Sequence, residues 1–195
     1  VHNWVPEANV PVKGVIQIAH GMAEWGYRYD YFAEKLNEEG YVVYANDHRG
    51  HGLTAPSRED IGYISDDDGF ADMVGDMHSL NRHIKVEYPR LPIILFGHSM
   101  GSFLSQRFIQ LYGHEIQGLI LSGSNGKQKP EVNMGIAIAA MEIKTKGRRN
   151  ISHRMDKLSF GGYNKHFAPN RTKFDWLSRD DKEVDKYIDD PYCGG

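Results

Sequence analysis

Gly97-His98-Ser99-Met100-Gly101 stands between the apolar run Leu91-Pro-Ile-Ile-Leu-Phe96 and the stretch Ser102-Phe-Leu-Ser-Gln-Arg-Phe-Ile-Gln-Leu111. The first run has the pattern of a buried strand and the second that of a helix, so the five residues make a strand-to-helix turn of the form G-x-S-x-G. A serine on so sharp a turn leaves no room for side chains on either flank, which is what the two glycines supply. The turn holds the Ser99 hydroxyl clear of the sheet edge, where a base and a substrate carbonyl can both reach it. G-x-S-x-G by itself arises by chance in many chains, and a glycine-rich turn without chemistry is the competing reading. The strand and helix on either side make the pattern specific.

The same alternation extends outward in both directions. Val15-Ile-Gln-Ile-Ala19 and Tyr41-Val-Val-Tyr-Ala45 are short apolar runs with the character of strands buried on both faces, and Gln117-Gly-Leu-Ile-Leu-Ser122 is a fourth. Between them lie helical patterns. Tyr27 to Glu39 places Tyr31, Phe32 and Leu36 on one face and ends at Gly40. The next helix follows Asp66-Asp67-Asp68, whose charge suits a helix N-terminus, and its expected buried stripe is Phe70, Met73, Val74, Met77, Leu80 and Ile84. The helix after the elbow runs to Tyr112, with Gly113 as its cap. Strand and helix alternating in this way demand right-handed crossovers and a parallel sheet covered on both faces: an α/β fold.

From Gly123 the character changes. Val132-Asn-Met-Gly-Ile-Ala-Ile-Ala-Ala-Met-Glu-Ile143 reads as an apolar helix, followed by polar, loop-rich sequence without a strand pattern. The chain therefore divides into a core over 1–123 and a helical segment over 124–195, the latter expected to be an insertion laid over one end of the sheet. A length of 195 residues suits one domain with such an insertion, and 40% apolar residues are ample for a core. A net charge of -3 gives no reason to expect nucleic acid. No stretch reaches the roughly 20 apolar residues of a membrane span. The single cysteine, Cys193, excludes an internal disulfide framework and fits a reducing, cytoplasmic compartment; Val1-His-Asn-Trp-Val-Pro6 lacks the regions of a signal peptide. The ten histidines form no metal-ligand pattern, so no metal or organic cofactor is expected.

With His20-Gly-Met-Ala-Glu24, Tyr27-Arg-Tyr-Asp30, Asp47-His-Arg-Gly-His-Gly-Leu53, the elbow, and Phe174-Asp-Trp-Leu-Ser-Arg-Asp-Asp181 through Asp189-Asp-Pro-Tyr-Cys193, the chain resembles the α/β-hydrolase superfamily. Within it, the likeness is to the monoacylglycerol lipase and lysophospholipase branch and its serine-aminopeptidase-like relatives. The resemblance implies Ser99 as nucleophile, the backbone N–H groups of Met22 and Met100 as the oxyanion hole, and the segment from about Ser124 as a lid that greets an acyl chain. It implies a serine hydrolase of lipid-type carboxylic esters, acting through an acyl-enzyme. Transient membrane or micelle contact would run through the cap. In these hydrolases the acid and the histidine follow the serine on loops after later strands. This chain ends at Gly195, where the cap would hand back to the sheet, and the family's first strand is cut short at Val1. The expectation is a fragment without its catalytic acid and base, inactive in isolation.

Several residues compete for roles. His114, His153 and His166 are candidates for the base and Asp156 and Asp175 for the acid, and Asp156 followed by His166 satisfies the order of acid and base. Ten residues apart in a stretch without strands, Asp156 and His166 do not reach two different strand ends, and geometry defines a triad. His98 is expected to point away at the elbow, and His20 to shape the oxyanion loop. Asp47, Arg49 and His51, in a glycine-punctuated turn, read as partners that fix the loop. Glu24 and Trp25 either touch the polar head of a substrate or anchor the loop. On the apolar helix Met134, Ile136, Ile138 and Met141 either pack within the cap or line a lipid entrance; one helix can do both. Two other readings stay open. One is a proline-iminopeptidase or amidase, whose amine-bearing substrates would meet Asp180, Asp181, Glu183 and Asp185. The other is a non-catalytic binding module on the same fold.

Overall fold

Strands β2 (Gly14–Ala19), β3 (Tyr41–Ala45), β4 (Ile93–His98) and β5 (Gly118–Ser122) pair in parallel in the order β3-β2-β4-β5. This computed structural model describes residues 1–126 and 130–194. Residues 127–129 and 195 of the segment read as the cap lie outside the described residues. The connections are α1 (Asp30–Glu38), α2 (Gly69–Glu87) and α3 (Met100–Tyr112). The expected α/β architecture is therefore present, with one addition. β1 (His2–Trp4) pairs antiparallel with β3, so the sheet of five is mostly parallel with one antiparallel edge strand. Three residues are too few to display a period, and their partner lies some forty positions on, so nothing local announces this strand.

Alternation along β2 divides the core. Val15 and Ala19 face the side covered by α2 and α3, where Met77, Leu95, Leu104 and Phe108 are buried, while Ile16 and Ile18 face α1 with Ala33, Val43 and Ala45. Each large aliphatic side chain fully buried here contributes about 1.5–3 kcal/mol. Gln17 is an exception inside the run: its amide donates to Met77 O at 2.8 Å and accepts from Asn81 Nδ2 at 3.0 Å, so a polar side chain is satisfied in the core.

Three local expectations are corrected. The elbow strand begins at Ile93, because Pro92 has no N–H for the ladder, although its carbonyl accepts from Val15 N at 2.9 Å. Residues 26–29 form a 3-10 turn before α1, so the buried face passes through Tyr29, Ala33 and Leu36, leaving Tyr31 71% exposed. Phe70 is 43% exposed, because it lies in the first turn of α2, where side chains lean back past the helix start. By contrast Gly113 is the C-cap of α3 as expected, its N–H donating to Ile109 O, and it leads into a 3-10 turn over Gly113–Glu115. Asp68 caps α2 through Ala71 N at 3.0 Å, and Gly40 takes φ +86°, where a Cβ would stand 2.4 Å from Pro11 O.

The chain divides into two compact units, Val1–Asn125 and Gly126–Gly194. The second holds α4 (Pro130–Lys146), α5 (His153–Ser159) and α6 (Asp181–Asp189). An aromatic group of Phe160, Tyr163 and Trp176, with ring centroids 5.0–6.1 Å apart, organises its middle. Among the described residues, no helix is long and apolar enough to cross a membrane.

Candidate active site

Parallel neighbours bring their C-terminal ends to one edge. β3, β2 and β4 are in register there, Ile18 opposite Ala45 and Ala19 opposite Gly97. The loops that follow, 20–25, 46–54 and the elbow, therefore share the edge of the sheet at which ligands of open α/β folds bind.

Ser99 takes φ +50° and ψ -118°, a backbone conformation that a residue with a side chain rarely adopts. Its N–H donates to Ser122 O at 2.9 Å, one step beyond the β4–β5 ladder. The glycines around it are sterically required. A Cβ on Gly97 would lie 2.4 Å from Ser105 Oγ and 2.6 Å from Gly101 O. On Gly101 a Cβ would stand 2.0 Å from Ala19 O, backbone against backbone. The Ser99 side chain does not cap α3, and no hydrogen bond joins it to any histidine among the described residues.

Gly21 presses against this turn: a Cβ on it would come 3.2 Å from Ser99 Cβ and 2.9 Å from Glu24 Oε1. The next residues turn sharply, with Ala23 at φ +59°. Glu24 holds the loop together. It is 4% exposed; Oε1 accepts from Gly21 N at 2.6 Å and from the Tyr29 hydroxyl at 2.8 Å, and Oε2 from Arg28 at 2.5 Å. Burial works against its charge, but Arg28, the Gly21 amide and Tyr29 outweigh burial and hold the carboxyl below its ordinary range. Of the two roles open to Glu24, these contacts describe the anchor.

Behind the loop stand three histidines. His20 donates from Nδ1 to Gly21 O at 2.7 Å and accepts the His48 backbone N–H on Nε2 at 2.9 Å, which fixes it as one neutral tautomer. Burial first, then His51, pushes its pKa down to about 4. His48 and His51 are pushed down chiefly by burial as well, and the His20 and His48 rings lie 4.2 Å apart. His98 turns to β5, its Nδ1 3.1 Å from Ser122 Oγ.

Asp47, Arg49 and His51 brace the neighbouring loop. Asp47 Oδ1 accepts from Gly26 N at 2.8 Å and meets His2 Nε2 at 2.9 Å, and Oδ2 accepts from Leu53 N at 3.0 Å. Arg49 grips Asp76 on α2 through two nitrogens at 2.6 and 3.1 Å, and His51 Nδ1 lies 2.9 Å from Arg49 O. The sequence did not single out Asp76, because its partner Arg49 is 27 positions away in the chain.

The other residues considered for acid, base or substrate roles have these surroundings. His114 follows the far end of α3, about 20 Å from Ser99 along a helix of thirteen residues rising 1.5 Å each. In the second unit, the Asp175 carboxylate accepts from Thr172 and from Arg171 N, His153 and Asp156 lie on α5, and His166 lies in the 3-10 turn Tyr163–Phe167. Asp180 caps α6 through Lys182 N, Asp181 and Asp185 face Arg171, and Glu183 pairs with Lys186. On α4, Met134 is 59% and Met141 55% exposed, and Ile138 is half-buried.

Comparison with known proteins identifies the family. Residues 10–195 match the family described as serine aminopeptidase, S33. A monoacylglycerol lipase of Mycolicibacterium smegmatis is 34% identical over 120 residues, which are 62% of this chain and 40% of that enzyme. A monoglyceride lipase of Rattus norvegicus is 29% identical over 188 residues, 96% of this chain and 54% of the relative. The chain thus spans about half the length of these curated relatives. Among solved structures, a thermostable carboxyl esterase from Bacillus coagulans in complex with glycerol superposes with a TM-score of 0.86 at 30% identity, covering 98% of this chain and 61% of that one. The chain belongs to the serine aminopeptidase S33 family of α/β-hydrolases, in its monoacylglycerol-lipase-like branch.

Proposed function

We propose that the full-length protein is a serine hydrolase of lipid-type carboxylic esters, of the monoacylglycerol or lysophospholipid kind. The observation that carries this is Ser99: a serine at φ +50° on a strand-to-helix turn, its side chain uncommitted as a cap, with Gly21 of the neighbouring loop in contact. The lipase and esterase relatives favour an ester as substrate.

In this reading Ser99 attacks the ester carbonyl while a histidine supplied from outside this chain takes its proton. The carbonyl oxygen becomes an anion facing the amides of Met22 and Met100. Supporting that role, neither N–H has a hydrogen-bond partner among the described residues, and Met100 opens α3, where N–H groups point out of the helix. The alcohol leaves, and water releases the acid from the acyl-enzyme by the same route. One oxyanion donor is worth about 10²–10³ in turnover. The second unit serves as the cap, and Met134, Ile138 and Met141 meet the acyl chain; micelle or membrane contact would run through the same helix. The acidic residues that an amine-bearing substrate would need are engaged with Arg171, Lys186 and the start of α6, which favours esters over aminoacyl amides.

A fluorophosphonate probe applied to the full-length protein should label Ser99, and Ser99→Ala should abolish both labelling and hydrolysis of short p-nitrophenyl esters. Hydrolysis that survives Ser99→Ala, or faster turnover of aminoacyl amides than of esters, overturns the assignment.

A further inference from the structure

We propose that Ser102, Ser124 and Gln106 form a hydrogen-bond relay that positions Ser99 from the last residues of the first unit; this rests on reading Ser99 as the nucleophile. Ser102 is buried on α3, its Oγ 2.6 Å from Ser99 O and 3.0 Å from Ser124 Oγ. Gln106 Nε2 lies 2.9 Å from Ser124 Oγ and 3.1 Å from Asn125 O.

Proton bookkeeping gives these contacts one direction. A hydroxyl has a single proton to donate. The Ser99 carbonyl can only accept, so the short contact to it claims the proton of Ser102. Ser124 must then donate to Ser102, and its own lone pair receives a Gln106 N–H; the second Gln106 N–H is free for Asn125 O. Each hydroxyl in the series donates once and accepts once.

The relay ends on a carbonyl whose orientation matters. Ser99 O also accepts from Ser102 N at 2.9 Å, so one residue occupies the carbonyl with both its amide and its hydroxyl. On the other side, Ser99 N donates to Ser122 O at 2.9 Å. Segment 122–125 therefore grips both ends of the Ser99 peptide, directly through Ser122 and by way of Ser102 through Ser124. A residue with a side chain keeps so sparsely populated a φ/ψ only when its surroundings over-determine it. A serine hydroxyl bonded to a carbonyl three residues back is an ordinary local motif. Its extension across 22 residues to Ser124 is not local, and Ser124 and Asn125 immediately precede the point where the second unit begins.

The three residues act through Ser99 and are positioning residues. In the full-length protein, Ser102→Ala should lower kcat by about 10- to 100-fold with KM changed less than about twofold, since small misplacements of reacting groups have effects of that size. Ser124→Ala and Gln106→Ala, at the exposed end of the relay, should lower kcat by about 3- to 10-fold without a change in Tm, and Ser124→Thr should restore it. In this chain, hydrogen exchange at the Ser99 amide should quicken about tenfold in Ser124→Ala. Wild-type kcat together with wild-type exchange in both Ser124→Ala and Gln106→Ala overturns the relay, whatever Ser102→Ala does to folding. A wild-type protein that takes no fluorophosphonate label overturns the nucleophile reading instead, and the exchange rates still decide whether the relay holds the backbone.

Discussion

The Cα of Gly101 lies against the carbonyl of Ala19, so closely that a Cβ at position 101 would stand 2.0 Å from the oxygen. This contact joins the first turn of α3 to the end of β2, and with it the elbow to the loop that starts at His20. Gly101→Ala should destabilise the chain by about 3 kcal/mol, because the clash is with backbone and no rotamer change relieves it. Urea denaturation measures this directly. A variant as stable as wild type would mean that β2 and α3 can separate at no cost.

Glu24 holds three donors with one buried carboxylate, from Gly21, Tyr29 and Arg28. Glu24→Ala takes the acceptor from the Gly21 amide and the Tyr29 hydroxyl and should cost about 1–3 kcal/mol for each donor left unsatisfied. Glu24→Gln keeps the shape and one acceptor and should cost less. If equilibrium unfolding ranks the two variants the other way, the carboxylate is not the tie that holds this loop.

Acid should weaken the fold through His20. Its pKa is pushed down to about 4, against 6.5 in an unfolded chain, so the unfolded state takes up a proton first. Stability is full above about pH 6.5, declines as pH falls toward 4, and loses about 3 kcal/mol in all, at roughly 1.4 kcal/mol per pH unit of difference. Unfolding free energy should therefore fall across this window in wild type, and the slope should flatten in His20→Gln. An equal slope in both assigns the acid sensitivity to other groups.

Two charged residues of the 46–54 loop should differ sharply in weight. Asp47 is 5% exposed and satisfies two backbone amides, so Asp47→Ala should cost about 3 kcal/mol or more. The Arg49 and Asp76 side chains are 43% and 37% exposed, and Arg49→Ala should cost no more than about 1 kcal/mol despite its two short contacts. Thermal denaturation of both variants checks the ranking; a larger loss in Arg49→Ala reverses it.

Much of the core was legible because its signals are local. The β2, β3 and β5 runs, the Asp68 cap and the glycine-flanked serine each declare themselves within a few consecutive residues. Features without a local signal are those that a neighbouring element decides. β1 depends on β3, and the burial of Gln17 depends on Met77 and Asn81 sixty or more positions away. The face of α1 depends on a 3-10 turn that shifts the helix by part of a turn.

By itself, then, the chain's order of residues determined an alternating α/β core with a serine at a sterically forced turn, since backbone sterics and hydrophobic period act between near neighbours. Only the tertiary structure decided that Glu24 ties down Gly21, that His20 is neutral between Gly21 and His48, and that Ser124 reaches Ser99 through Ser102. The His20–His48 and Ser102–Ser124 partnerships exist because parallel strands deliver separate segments to one edge of the sheet. There a buried polar group must bond with whatever the fold brings beside it.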